Sequence, residues 1–142
     1  MTDLIRILIA DDHFVVRQGL ATLLSPRNGM EVIGEAATGR QAVAMTRQLR
    51  PDVVVMDLAM PLLNGLEATR QIRQAIPHAR VLILSAHSDD AYVEKVTELG
   101  AAGYLIKQTS VHFLSEAIRE VRKGNTYFSP SIARKIDPEA SR

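Results

Sequence analysis

Several short apolar runs of this sequence close on residues able to do chemistry. Asp11 and Asp12 follow Ile5 to Ala10, Asp57 ends Val53 to Asp57, Ser85 ends Val81 to Ser85, and Lys107 ends Gly103 to Lys107. Three carboxylates brought together repel, and keeping all of them ionised is costly unless a cation sits among them. A hard divalent ion answers that need: magnesium takes oxygen ligands, keeps several waters, and is commonly held by one or two carboxylates plus phosphate oxygens. No histidine pair or cysteine set points to zinc instead. Beside magnesium and a lysine, a carboxylate can attack phosphorus and form an acyl phosphate. Such a transfer asks the protein mainly for positioning and for spreading negative charge. Asp57, ending a run apolar throughout, is the candidate nucleophile, with Asp11 and Asp12 as metal ligands, either of them the tighter one. Lys107 and Ser85 are the candidates to bind phosphoryl oxygens. His87, two residues past Ser85, is a candidate for tuning how long a phosphoryl group survives attack by water.

These residues converge only if their elements bring them to one edge. The four runs, together with Met30 to Ala36, recur at intervals of roughly 25 residues, the length of a strand-plus-helix unit. Between them the apolar residues follow helical spacing: Val16, Leu20 and Leu23, then Leu66, Thr69 and Ile72, and later Phe113, Leu114, Ala117, Ile118 and Val121. Turn signals separate them at Asn28-Gly29, Gly39, Pro51-Asp52, Asn64-Gly65, Pro77, Gly100 and Gly124-Asn125. Alternating strands and helices predict an α/β fold, a parallel sheet covered on both faces. Ligands of such sheets bind beyond the carboxyl ends of the strands, where strand order reverses. Glu31 and Glu35 interrupt the second run and suit an edge strand. After Lys123 the helical pattern stops, and Tyr127-Phe128 onward reads as a tail that packs at first and then loosens.

Composition narrows the partners. The 142 residues suit one compact domain with a sizeable core. With 17 basic against 16 acidic residues, the net charge of +1 advertises neither nucleic acid nor a membrane surface. The absence of cysteine removes disulfides and thiolate chemistry. No run is long enough to span a bilayer, so the expectation is a soluble, cytoplasmic protein without a membrane partner.

Four blocks then carry a resemblance: Asp11-Asp12-His13; Met56-Asp57-Leu58-Ala59-Met60-Pro61 with Asn64-Gly65-Leu66-Glu67-Ala68; Leu84-Ser85-Ala86; and Gly100-Ala101-Ala102-Gly103-Tyr104-Leu105-Ile106-Lys107. In order and spacing they resemble the bacterial response-regulator receiver, and with Tyr127-Phe128-Ser129-Pro130 they look most like its NarL/LuxR-type branch. The resemblance implies a flavodoxin-like (βα)5 fold with a five-stranded parallel sheet in the order 2-1-3-4-5. It implies that Asp57 takes a phosphoryl group from a sensor histidine kinase, that Asp11, Asp12, Asp57 and the Ala59 carbonyl hold magnesium, and that Ser85 and Tyr104 form a switch pair. It implies a homodimer on phosphorylation, and DNA binding only through a helix-turn-helix output domain outside this chain. Residues 1–124 would be the receiver and 125–142 a linker-like tail. Three positions depart from the common pattern: Gln108 follows the lysine where many receivers carry proline, Phe14 replaces another frequent proline, and Leu62-Leu63 replaces a commonly glycine-containing pair.

Singly, each residue has a plainer reading. Asp57 could cap a loop, Asp12 could cap the first helix as well as bind metal, Lys107 could be a surface lysine, Ser85 a loop cap, and Tyr104 half-buried packing. The four histidines default to surface or hydrogen-bonded groups. Among other functions, a haloacid-dehalogenase-type phosphatase needs a second aspartate two positions after its nucleophile, and Ala59 stands there. Neither phosphate-binding glycine motif follows the first strand. A module of the same fold that signals without phosphorylation would be expected to lack an acid, the acceptor or the lysine, and all are present.

Overall fold

The structure of the chain, a computed structural model, describes residues 3–60, 63–86, 90–107, 110–129 and 132. Strands and helices alternate: β1 (Ile5–Ala10), α1 (Phe14–Leu23), β2 (Met30–Ala36), α2 (Gly39–Leu49), β3 (Val53–Met56), α3 (Gly65–Ala75), β4 (Arg80–Ser85), α4 (Asp90–Glu98), β5 (Gly103–Ile106), α5 (Ser110–Arg122) and β6 (Tyr127–Phe128). All strands pair in parallel, in the order β2-β1-β3-β4-β5-β6. The five-strand order is the flavodoxin-like one expected; the count is corrected to six among the described residues. Tyr127 and Phe128 extend the sheet beyond β5, opposite Gly103 and Tyr104. Gly103 makes room for them, since a Cβ there would lie 2.3 Å from the Tyr127 carbonyl oxygen.

The central strands are apolar on both faces, so alternate residues enter opposite cores. Leu8, Ala10, Val54, Met56, Val81 and Ile83 pack with Ala42, Val43, Ala68 and Ile72 of α2 and α3. Ile7, Ile9, Val53, Val55, Leu82 and Leu84 pack with Leu20 of α1 and Leu114 and Ile118 of α5. At the β2 edge Glu31 and Glu35 are exposed, and the register with β1 slips between Ile7 and Leu8, a bulge that discourages further pairing.

Caps fix where the helices start. The Thr38 hydroxyl accepts the Gln41 N–H at 3.1 Å, while the Gln41 side chain accepts the Ala37 N–H at 2.8 Å. Asn64 accepts the Glu67 N–H at 3.0 Å. Helix α1 departs from expectation: the capping position is His13, with no side-chain cap, so Asp12 does not cap it. The His13 N–H is taken instead by the Asp11 carboxylate at 2.8 Å, which leaves Asp12 unused by the helix.

Candidate functional site

Strand β1 lies between β2 and β3, so the chain leaves β1 toward one side, returns, and continues on the other. The crevice opened by that reversal lies beyond Ala10 and Met56, which stand opposite each other. The next residues, Asp11 and Asp57, are therefore delivered side by side, with the Asp57 N–H donating to the Ala10 carbonyl at 2.9 Å. Gly65 lets the start of α3 close against this loop: a Cβ there would sit 2.2 Å from the Asp57 carbonyl oxygen.

Both acids are deeply buried, Asp11 at 2% and Asp57 at 3% exposure. Lys107, one residue past β5, reaches them with its ammonium, 2.9 Å from Asp11 Oδ2 and 3.4 Å from Asp57 Oδ2. Asp57 Oδ1 accepts the Ala59 N–H at 3.3 Å. Asp57 Oδ2 is buried with no well-formed hydrogen bond, and the Lys107 ammonium 3.4 Å away is its charge partner. Burial pushes the Asp57 carboxyl above its ordinary range and the Asp11 charge pushes the same way, against Lys107 and the Ala59 N–H. Burial works to lower the Lys107 ammonium, but the hydrogen bond to Asp11 and the charges of Asp57 and Asp11 outweigh it and raise it. Asp11, Asp12, His13 and Asp57 each offer a ligand atom, all within 4.8 Å of one another. One ammonium among three carboxylates leaves the site short of positive charge. The three carboxylates, one with a buried oxygen that makes no well-formed hydrogen bond, fit a hard divalent cation.

The remaining sequence candidates divide. Ser85 closes β4 and is buried; Tyr104 in β5 is fully buried. Because Tyr104 stands opposite Ile83, it shares a sheet face with Ser85 as a diagonal neighbour, the face that Val93 and Val96 of α4 cover. Ala59 follows Asp57 in the same loop, and His87 lies outside the described residues, as do Gln108 and Leu62.

Two residues at the site escaped sequence reasoning. Arg17 donates to the Asp11 carbonyl at 2.7 Å and to Glu35 at 3.1 Å, and its guanidinium lies 5.7 Å from the Phe14 ring centroid. It ties the Asp11 loop to β2. His13 sets Nδ1 at 3.1 Å from Asp11 Oδ1 and 3.0 Å from Asp12 Oδ1. Their spacing from Asp11 was visible, but contacts to a backbone carbonyl and within a loop leave no periodic signal.

A parallel sheet wound in this order, with acids and a lysine gathered at its reversal point, defines a receiver-type domain. Residues 7–119 match the response regulator receiver domain model, and the chain belongs to that family. It is 38% identical over 138 residues to the transcriptional regulatory protein DegU of Brevibacillus brevis, covering 97% of this chain and 58% of that protein. It is 37% identical over 133 residues to the response regulator GacA of Pseudomonas aeruginosa, covering 94% and 62%. A solved two-component response regulator of the LuxR family from Aurantimonas sp. SI85-9A1 superimposes with a TM-score of 0.90 at 40% identity, covering 98% of this chain and 99% of that one. The chain thus spans about three fifths of the length of these curated relatives. It is a two-component receiver domain related to transcriptional regulators. No helix among the described residues is long and apolar enough to cross a membrane.

Proposed function

We propose that Asp57 accepts a phosphoryl group from the phosphohistidine of a sensor kinase in the cytoplasm. The observation that carries this is Asp57 Oδ2, buried and unbonded at the sheet's reversal point with the Lys107 ammonium 3.4 Å away. In the transfer an oxygen–phosphorus bond forms at the Asp57 carboxylate as the nitrogen–phosphorus bond of the donor breaks, and the freed imidazole takes a proton from water. Lys107 holds a fixed positive charge against the transferring oxygens, and the Ser85 hydroxyl donates to them. Asp11, Asp12, Asp57 and the Ala59 carbonyl are the groups that would hold magnesium, which when bound spreads the negative charge of the phosphoryl oxygens. Water later cleaves the acyl phosphate and returns inorganic phosphate. His87, two residues past Ser85 in sequence, is proposed to tune that step, and equal dephosphorylation rates in wild type and His87→Ala would remove it.

The phosphoryl group brings a charge of about −2 to Asp57 and biases two packings of the Ser85–Tyr104 pair. The full burial of Tyr104 supports its reading as one member of that pair. The output is homodimerisation and control of transcription through a DNA-binding domain beyond residue 142, with residues 1–124 as the receiver and 125–142 as the connection. Incubation with acetyl phosphate and magnesium, followed by intact-mass measurement, tests the acceptor. Wild type gains one HPO3 and Asp57→Asn gains none; a gain in both, or in neither, removes Asp57 from the role. Beryllofluoride should advance the elution of the wild-type chain in size-exclusion chromatography, and an unchanged position would count against dimerisation.

A further inference from the structure

We infer that His13 is an additional ligand of the acidic site, so that the site takes a borderline transition cation such as zinc through nitrogen as well as magnesium through oxygen. This rests on the reading of Asp11, Asp12 and Asp57 as cation-holding groups. Nδ1 of His13 lies 3.1 Å from Asp11 Oδ1 and 3.0 Å from Asp12 Oδ1. Neighbouring ligands on an ion bound at zinc–nitrogen and zinc–oxygen distances stand roughly 3.0–3.4 Å apart, so the imidazole already occupies a ligand's place beside the two carboxylates. One atom from each of Asp11, Asp12, His13 and Asp57 falls within 4.8 Å of the others. The independent pointer to a ligand is Asp57 Oδ2, in a side chain 4% exposed and buried without a hydrogen-bond partner, with the Lys107 ammonium 3.4 Å away.

The backbone holds the imidazole there. The His13 N–H donates to Asp11 Oδ1 at 2.8 Å, its carbonyl accepts the Arg17 N–H at 3.0 Å, and the Arg17 side chain returns to the Asp11 carbonyl. The His13 side chain is 64% exposed, so an ion arriving from solvent can reach it. Magnesium gains little from imidazole, whereas zinc, nickel and copper gain much, so His13 sets selectivity and leaves magnesium affinity alone. Zinc held this way shares Asp57 and competes with phosphoryl acceptance.

Isothermal titration of the metal-stripped full chain with zinc chloride and, separately, magnesium chloride tests this in wild type, His13→Ala and Asp57→Asn. Loss of His13 should weaken zinc by about tenfold or more while magnesium binds as in wild type, which also reports that the variant is folded. Asp57→Asn should weaken zinc too. Equal zinc affinity in wild type and His13→Ala would reduce the imidazole to a partner of the carboxylates and overturn the inference while the magnesium reading stands. Full-strength zinc binding in Asp57→Asn places the ion elsewhere and overturns it as well. Failure of wild type to bind magnesium removes the cation reading of the acids and the inference with it.

Discussion

At the residue scale, Asp57 is held against its own preference. Asp57 is buried beside a like charge, so its carboxyl in the folded chain titrates above the ordinary carboxylate value. Folding therefore favours the protonated form: the contribution to stability is full below the ordinary value and is lost as pH rises through the raised one. At neutral pH the ionised carboxylate is a burden, and Asp57→Asn should melt a few degrees above wild type in metal-free buffer. The gap should close as pH falls toward about 4. Magnesium added at neutral pH should narrow it from the other side by raising the wild type more than the variant. Thermal denaturation followed by circular dichroism across that pH range checks both, and melting points that coincide at neutral pH would show that the burial cost is offset elsewhere. Arg17 acts on the same group at one remove, through the Asp11 carbonyl. Arg17→Ala is expected to weaken magnesium by roughly tenfold, within the range for residues that orient metal ligands, while Asp57 still takes a phosphoryl group at saturating metal.

At the scale of elements, close backbone approach decides which glycines matter. A Cβ at residue 103 would meet the Tyr127 carbonyl oxygen at 2.3 Å and Leu82 Cδ1 at 2.7 Å, whereas one at Gly19 in α1 meets nothing within 4 Å. Gly103→Ala should cost about 1–3 kcal/mol by overpacking and speed amide exchange at Tyr127 and Ser129, which donate to the Ala102 and Tyr104 carbonyls. Gly19→Ala should stabilise by about 0.5–1 kcal/mol through helix propensity. Urea unfolding and hydrogen exchange separate the two, and equal effects would deny the close approach of β6. The same contrast explains what was legible beforehand. Runs such as Val53-Val54-Val55-Met56, apolar on both faces, announced central strands, and the polar residues ending four of the five runs announced the candidate site, because a parallel sheet puts strand ends together. Strand β6 has two residues and no period to read, and depends on Gly103 of a different strand. His13 took the cap position assigned to Asp12 because the Asp11 carboxylate captures its N–H, a competition between neighbouring acids that composition does not resolve.

For the whole molecule, the described residues after α5 pack onto the sheet that carries the site. Tyr127 N–H bonds to Ala102, Ser129 N–H bonds to the carbonyl of Tyr104 at 3.0 Å, and Ile132 N–H bonds to Ser129 at 2.9 Å. The Tyr127 hydroxyl donates to Glu116 of α5 at 2.9 Å. Ile132 is fully buried in the cluster that contains Tyr104, Val93 and Val96, with Phe128 packed against it. One fully buried isoleucine is worth about 1.5–3 kcal/mol, and the partly buried Phe128 adds to it. Removing residues 125–142 should therefore lower the unfolding free energy by about 2–4 kcal/mol, a large share of what a domain of this size has to lose. Equilibrium urea denaturation of residues 1–124 against the full chain measures this, and two curves that superimpose would make the segment a passenger. The loss should fall mainly on the core shared by α3, α4 and the Tyr104 ring, where Ile132 and Phe128 pack, and less on the α1–α5 side, which loses the partly buried Tyr127 and its bond to Glu116. Hydrogen exchange should accordingly show β4 and β5 amides opening sooner in the shortened chain and β1 amides changing least, because β1 touches neither the removed strand nor its neighbour.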